Sequence, residues 1–209
     1  MSNWIKALSK IENIEEIHNL RDLISIKFRD GRTDIIAYKN NKDNLTVREL
    51  DFLIKEKKFN FLLCFNEQYN LDSSCIELLK KSNISYGNAT DFGKILRDSH
   101  LRIKNFITPE TDYILNNLPN HDNVTSVELI ANRKILIKRK KGRDINLVFL
   151  DEYELSNARI TEIFQYYAPI DIILSTNPNI TGLGTLNFNG NIVQTVKWKE
   201  LFSLLKSML

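Results

Sequence analysis

Laid over itself with an offset of 111 residues, the chain aligns Ile24 to Asn66 with Ile135 to Asn177 without a gap. Such a repeat constrains a fold strongly, because one supersecondary unit must then suit both stretches. The identities fall where backbone geometry is demanding. Ile24, Ile26 and Lys27 meet Ile135, Ile137 and Lys138, and Gly31-Arg32 meets Gly142-Arg143. Arg48 meets Arg159, Leu63 meets Leu174, and Asn66 meets Asn177. The apolar pattern agrees as well, since Ile36, Tyr38, Phe52 and Leu62 fall opposite Leu147, Phe149, Ile163 and Ile173. With one residue inserted or deleted, the match extends back to set Asn13-Ile14 beside Asn123-Val124. After a five-residue length difference it resumes at Phe92 to Leu96 against Trp198 to Phe202. The chain therefore reads as two units, 1–104 and 105–209, the second a degenerate repeat of the first.

Each unit reads as α-β-β-β-α-β-(α)-β-α, an α/β arrangement in which a mixed sheet is flanked by helices. In the first unit Trp4 to Ile11 predicts a short helix, and Ile14 to Leu20 and Leu23 to Arg29 predict strands. Gly31 supplies the positive φ that a hairpin needs before Thr33 to Lys39 returns as a third strand. Thr46-Val47-Arg48-Glu49 is a capping-box pattern opening a helix to Lys57. Phe59 to Phe65 is apolar and aromatic at every position but Asn60 and predicts a central strand covered on both faces. Helices over Ser73 to Ser82 and Thr90 to Asp98 enclose a short strand at Ile84 to Tyr86. The second unit repeats the meander at Val127 to Ile130, Ile135 to Arg139 and Ile145 to Leu150, then a helix capped by Ser156 and a buried strand at Ile170 to Ser175. Pro178, Gly182, Gly184 and Gly190 interrupt the region of the first unit's second helix, which is expected to be lost or shortened before a closing helix from Trp198 to Met208.

A hydrophobic share of 43% and a charged share of 26% are ordinary globular usage and exclude long disorder. A net charge of +3 does not by itself mark a polyanion binder, so the placement of the bases matters more than their number. No stretch approaches the length of a membrane span and the N-terminus has no secretory h-region, so a cytoplasmic protein with no membrane partner is expected. Cys64 and Cys75 belong to no metal or redox spacing and read as buried thiols.

A helix, a three-strand meander, a second helix and a fourth strand resemble the core of the restriction-endonuclease-like PD-(D/E)xK superfamily. The later strand-helix tail resembles its Mrr-type branch. The resemblance implies a divalent metal held by an acid at the second strand and an acid-x-Lys on the third, which together polarise water for phosphodiester cleavage. At those places the first unit has Asp22 and Ala37-Tyr38-Lys39, which keeps the lysine and lacks the second carboxylate. Asp22 and Lys39 are therefore the candidate catalytic residues of a degenerate site, with Asp34, Glu49 or Asp51 as displaced acids and Mg as cofactor only if one of them serves. In the second unit Arg133 replaces the Asp and Val148-Phe149-Leu150 replaces the acid-x-Lys, so that half is expected to be inert.

Arg133, Lys134, Lys138, Arg139, Lys140, Lys141 and Arg143 place seven bases in eleven residues without an acid. On a hairpin they read either as a nucleic-acid contact or as an edge kept soluble by its charge. His18, His100 and His121 have no partner at helical spacing and suggest neither zinc nor a triad. Asn66 and Asn177 read as turn formers, and Phe164, Tyr166 and Tyr167 as a packed helix face. The leading expectation is a non-catalytic, nuclease-like pseudoenzyme that binds DNA, RNA or a protein partner, in the setting of bacterial antiviral defence or DNA handling that the resemblance implies. Two alternatives stay open: an active Mg-dependent nuclease, and a protein-interaction scaffold without nucleic-acid binding.

Overall fold

The computed structural model describes residues 3–66, 69–98, 103, 104, 106–152, 155–177, 179, 184–188 and 190–207. The expectations placed on His100, Pro178, Gly182 and Met208 fall outside these residues. The chain divides into two compact units, Met1–Thr108 and Pro109–Leu209, a boundary slightly beyond the one drawn at residue 104.

In the first unit, helix α1 (Asn3–Leu8) precedes strands β1 (Ile14–Asn19), β2 (Leu23–Phe28) and β3 (Ile35–Asn40). Helix α2 (Val47–Glu56) leads to β4 (Phe61–Cys64), α3 (Ser73–Lys81) leads to β5 (Ser85–Asn88), and α4 (Ala89–Arg97) follows. The sheet order is β1-β2-β3-β4-β5, antiparallel as far as β3 and parallel from there. A helical crossover before each of the last two strands brings the chain back to the same end, which is what a parallel pair requires. β4 is buried at all four residues with a parallel neighbour on each side, so its sequence shows no polar alternation. Strand alternation sends Ile24, Ile26, Ala37, Phe61 and Leu63 to one face, where they pack with Ile5 and Leu8 of α1 and Phe92, Ile95 and Leu96 of α4. The opposite face meets α2, which starts with the expected capping box: Thr46 Oγ1 accepts the Glu49 N–H, and Glu49 accepts the Thr46 N–H. Both cysteines are buried, and burial pushes each thiol up to about 12.

In the second unit, helix α5 (Pro109–Asn117) runs into a 3-10 turn and then β6 (Val124–Ala131), β7 (Lys134–Arg139) and β8 (Ile145–Leu150). Helix α6 (Asn157–Tyr167), β9 (Ile172–Ser175), β10 (Gly184–Phe188), β11 (Asn191–Lys197) and α7 (Trp198–Ser207) follow. Read from β6, the order β6-β7-β8-β9-β11 has the same pairing senses as β1 to β5, and β10 adds a sixth, antiparallel strand at the edge. Helices α5 and α7 cover one face and α6 the other, as α1 and α4 oppose α2. The expected loss of a helix is thus a replacement: where the first unit crosses by α3, the second enters a hairpin. Among the described residues no helix is long and apolar enough to cross a membrane.

The hydrogen-bond register corrects the gap-free alignment. Leu23 pairs with Tyr38, and its equivalent Lys134 pairs with Val148, so β3 and β8 match at an offset of 110 while β2 and β7 match at 111. The link from β2 to β3 is one residue longer than that from β7 to β8, and α6 recovers the residue by having 11 residues against 10 in α2. Tyr38 therefore corresponds to Val148 and Lys39 to Phe149, so the stretch facing Ala37-Tyr38-Lys39 is Leu147-Val148-Phe149. Thr46 and Ser156 both cap, which sets Glu49 rather than Arg48 against Arg159.

With that register, small devices recur. The first strands of the two meanders share a bulge at an equivalent place, between Ile14 and Glu16 and between Val124 and Ser126. Gly31 and Gly142 turn the following hairpins at φ of +73° and +85°. Asn60 Oδ1 accepts the Ile36 N–H at 2.8 Å, and Asp171 Oδ2 accepts the Asn146 N–H at 2.8 Å, each tying the entry of one parallel strand to its neighbour.

Candidate nucleic-acid interface

β3 ends beside the first turns of α2, at the carboxyl edge of the parallel strands, where α/β sheets leave room for ligands. A cleft of about 520 Å³ opens there, lined by Tyr38, Lys39, Lys42, Arg48, Glu49 and Phe52 and reached by Asp22. Asp22 and Lys39 face one another across the β2–β3 ladder, the Lys39 N–H donating to the Asp22 carbonyl at 2.9 Å. Residues directly opposite on an antiparallel pair project to one face. The structure thus brings the two candidate catalytic residues side by side. The Lys39 ammonium is nevertheless drawn to the β1–β2 turn, where it donates to Asn19 Oδ1 at 3.2 Å and to the Leu20 carbonyl at 2.5 Å. Ala37, two residues earlier on the same face, is buried in the core under α1 and α4.

The displaced acids do not converge on Asp22. Glu49 accepts from Lys42 Nζ at 2.6 Å, from the Thr46 N–H at 3.0 Å and from Thr46 Oγ1 at 2.8 Å. These donors, Lys42 first, hold its carboxyl down to about 2. Asp51 pairs with Lys55 of its own helix at 2.5 Å. Asp34 precedes β3, at the other end of the strand from Lys39, about 16 Å away along the backbone. A hard divalent cation needs several oxygens at one point. Among the described residues no three His, Cys, Asp or Glu side chains form such a group.

The cleft instead combines cations with rings. Arg48 is exposed on α2, one turn from Phe52, whose side chain is 63% exposed. Tyr38 is half-buried against Phe59, and burial, then the Asp22 charge, raises its hydroxyl above the ordinary value. Nothing in the sequence pointed to Lys42, Arg48 and Phe52 as a site. Lys42 sits in the loop before α2 while Arg48 and Phe52 share a helix turn, and only the course of that loop brings them together.

In the second unit the corresponding positions are different. Arg133 stands for Asp22, its carbonyl accepting the Phe149 N–H at 3.0 Å. Phe149, in the place of Lys39, is buried in the core under α5 and α7. Glu152 and Arg159 form an ion pair at 2.6 Å where Lys42 and Glu49 do, with the signs exchanged. The Tyr167 hydroxyl donates to Asn132 Oδ1 at 3.2 Å beneath α6.

The seven bases of the β7 segment do not form one face. Lys134 and Arg139 are buried, and burial lowers the Lys134 ammonium below its ordinary value. Arg139 Nε donates to the Arg143 carbonyl at 2.7 Å. Arg143 is paired with Asp171 at 2.7 Å and Lys138 with Glu128 at 3.6 Å. Arg133 precedes the strand, whereas Lys140 and Lys141 lie beyond its other end, exposed and without an ion pair among the described residues. His18 pairs with Glu16, and His121 stacks on Phe202, so neither belongs to a reactive cluster. Asn66 donates to the Asp43 carboxylate and Asn177 Oδ1 accepts the Asn179 N–H, so both brace loops.

Comparison with known protein families, with curated proteins and with solved structures finds no match to the chain.

Proposed function

We propose that the protein is a duplicated, catalytically degenerate nuclease-like molecule whose first unit binds nucleic acid in the β3–α2 cleft without cleaving it. One observation carries this reading: Asp22 and Lys39 are opposed on the β2–β3 ladder, while Ala37, which the resemblance sets where a second metal carboxylate would stand, is buried in the core. A fold of this resemblance that keeps its lysine and loses its acid retains the means to hold a phosphate but not to activate water. Lys42 and Arg48 supply phosphate contacts inside the cleft, Lys39 one at its rim from beside the β1–β2 turn, and the exposed Phe52 offers a base a stacking surface. Service within a bacterial defence or DNA-handling complex rests on the resemblance alone.

Fluorescence anisotropy with labelled single-stranded and duplex oligonucleotides over a salt series tests the proposal. Salt-sensitive affinity is expected, and Lys39→Ala and Arg48→Ala should each weaken it and lower the salt slope by about one. Mg or Mn should give no cleavage; cleavage abolished by Lys39→Ala would establish the active nuclease instead. Absence of salt-sensitive binding would favour the protein scaffold. A second contact surface is favoured by the unpaired Lys140 and Lys141. Loss of affinity on replacing both with Ala, with Lys39→Ala and Arg48→Ala silent, would move the site to that turn.

A further inference from the structure

From Ile172 to Val196 the chain runs 25 residues without Asp, Glu, Lys, Arg or His, although charged residues make up 26% of the whole. This stretch contains β10, the outermost strand of the second sheet, and no strand of the described residues pairs with its outer side. In an antiparallel pair every second residue turns its N–H and C=O away from its partner, so β10 offers unpaired backbone groups along its outer edge.

The other sheet edges carry the usual protections against strand addition. β1 is bulged and bears Glu15, Glu16 and His18. β6 is bulged twice and bears Glu128. β5 is covered, since Ser85 Oγ donates to the Ile103 carbonyl and accepts the Phe106 N–H. β10 carries no charge, and among the described residues nothing covers it: Gly184, Thr185 and Asn187 are exposed, and Ile192 opposite Asn187 on β11 is 67% exposed.

We propose that β10 is a dimerisation edge, pairing antiparallel with β10 of a second copy about a two-fold axis through Leu186. A two-fold axis sets each residue of the strand against another residue of the same strand, so a charged edge would repel itself. An uncharged one does not. In this register Leu186 meets its own copy, Phe188 crosses Gly184, and Thr185 crosses Asn187. Leu186 and Phe188 are the side chains that pack on the α6 core, with Phe188 stacked on Phe164 at 4.3 Å, so pairing extends that apolar face into the partner. The occupant is a second copy because β10 bears no charge at any of its positions, so the strand set against itself brings no like charges together.

Sedimentation equilibrium of the full chain is expected to show a reversible monomer–dimer equilibrium. Thr185→Lys with Asn187→Lys, both at exposed positions, places lysine opposite lysine twice and should weaken the dimer by about tenfold or more without changing the circular dichroism. Thr185→Glu with Asn187→Glu should do the same alone, and mixing the lysine and glutamate variants should restore a heterodimer. A wild-type chain that stays monomeric at the highest soluble concentration overturns the proposal. So does a dimer that both variants leave unchanged, or variants that fail to recombine.

Discussion

Where the first unit bridges Lys42 to Glu49 at 2.6 Å, the second bridges Glu152 to Arg159 at 2.6 Å with the charges exchanged. Asp22 is likewise answered by Arg133. The backbone devices around these positions are kept without exchange: the bulge in the first strand, the positive-φ glycine, the cap before the second helix, and the side-chain oxygen that accepts from β3 or β8. An ion pair needs opposite signs at a fixed distance and is indifferent to which end carries which. A backbone N–H needs an acceptor and cannot be reversed. The two units therefore differ where pairing can be swapped and agree where it cannot. At the place of Lys39, whose ammonium reaches only neutral oxygens of Asn19 and Leu20, the second unit has given the space to its core with Phe149.

The sharpest way to break this comparison is to exchange that position. Phe149→Lys puts an ammonium into the core under α5 and α7 and should cost about 3–5 kcal/mol, read as a lowered urea midpoint. Lys39→Phe should leave the midpoint nearly unchanged while removing oligonucleotide binding, because Lys39 borders a cleft and is not packed on every side. Equal destabilisation by the two would mean that the sites are not the open and filled forms of one position.

The shared acceptor comes next. Asp171→Ala should lower stability by about 2 kcal/mol and Asn60→Ala by about 1 kcal/mol. Both leave a strand-entry N–H unsatisfied, and Asp171 also gives up its bond to Arg143. Hydrogen exchange of the Ile36 and Asn146 amides would report each loss locally. If either amide stays protected, that bond is not a device the two units share.

Much of this was legible in the sequence because it is written in local pattern. The capping box at Thr46, the turn glycines and the apolar run of β4 each fix structure within a few residues. The offset of the third strand was not legible, since Ile36 and Ala37 are both apolar and alternation alone accepts either against Leu147. Only the ladder, pairing Tyr38 with Leu23 and Val148 with Lys134, decides it. The same slip hid the exchanged ion pair: the identity of Arg48 with Arg159 drew the alignment one residue away from Glu49. β10 escaped because its glycines and asparagines read as loop, and its pairing with β11 supplies what its composition does not.

Exchanging charges within a unit sharpens the comparison at lower cost. Glu152→Arg sets two guanidinium groups together at the half-buried Arg159 and should cost about 2 kcal/mol, and adding Arg159→Glu should recover only part of it, because Glu162, which pairs with Arg159 at 3.2 Å, then faces a like charge. In the first unit Lys42→Glu should lower the midpoint less, because both partners are more exposed there. Glu49→Arg in the same chain should return it. A double mutant as unstable as the sum of its singles would show that the sign of the pair is fixed by something besides its partner.

The smallest effect separates the units by pH. Glu49 has its folded-state value depressed from the ordinary 4.5 to about 2, chiefly by Lys42 and then by the Thr46 backbone. Its contribution is therefore fully present above pH 4.5 and is lost as the pH falls through about 2, where folded and unfolded chains both bind the proton. Lys42→Ala should raise the Glu49 value, followed by carbon-detected NMR titration of its carboxyl, and should reduce the stability advantage above that window. The midpoints of the variant and the native chain should accordingly converge as the pH drops toward 2. Arg159, at the equivalent place in the second unit, keeps its charge throughout the acid range. An unchanged Glu49 titration in the variant would mean that the cap alone, and not the ion pair, holds the carboxylate ionised.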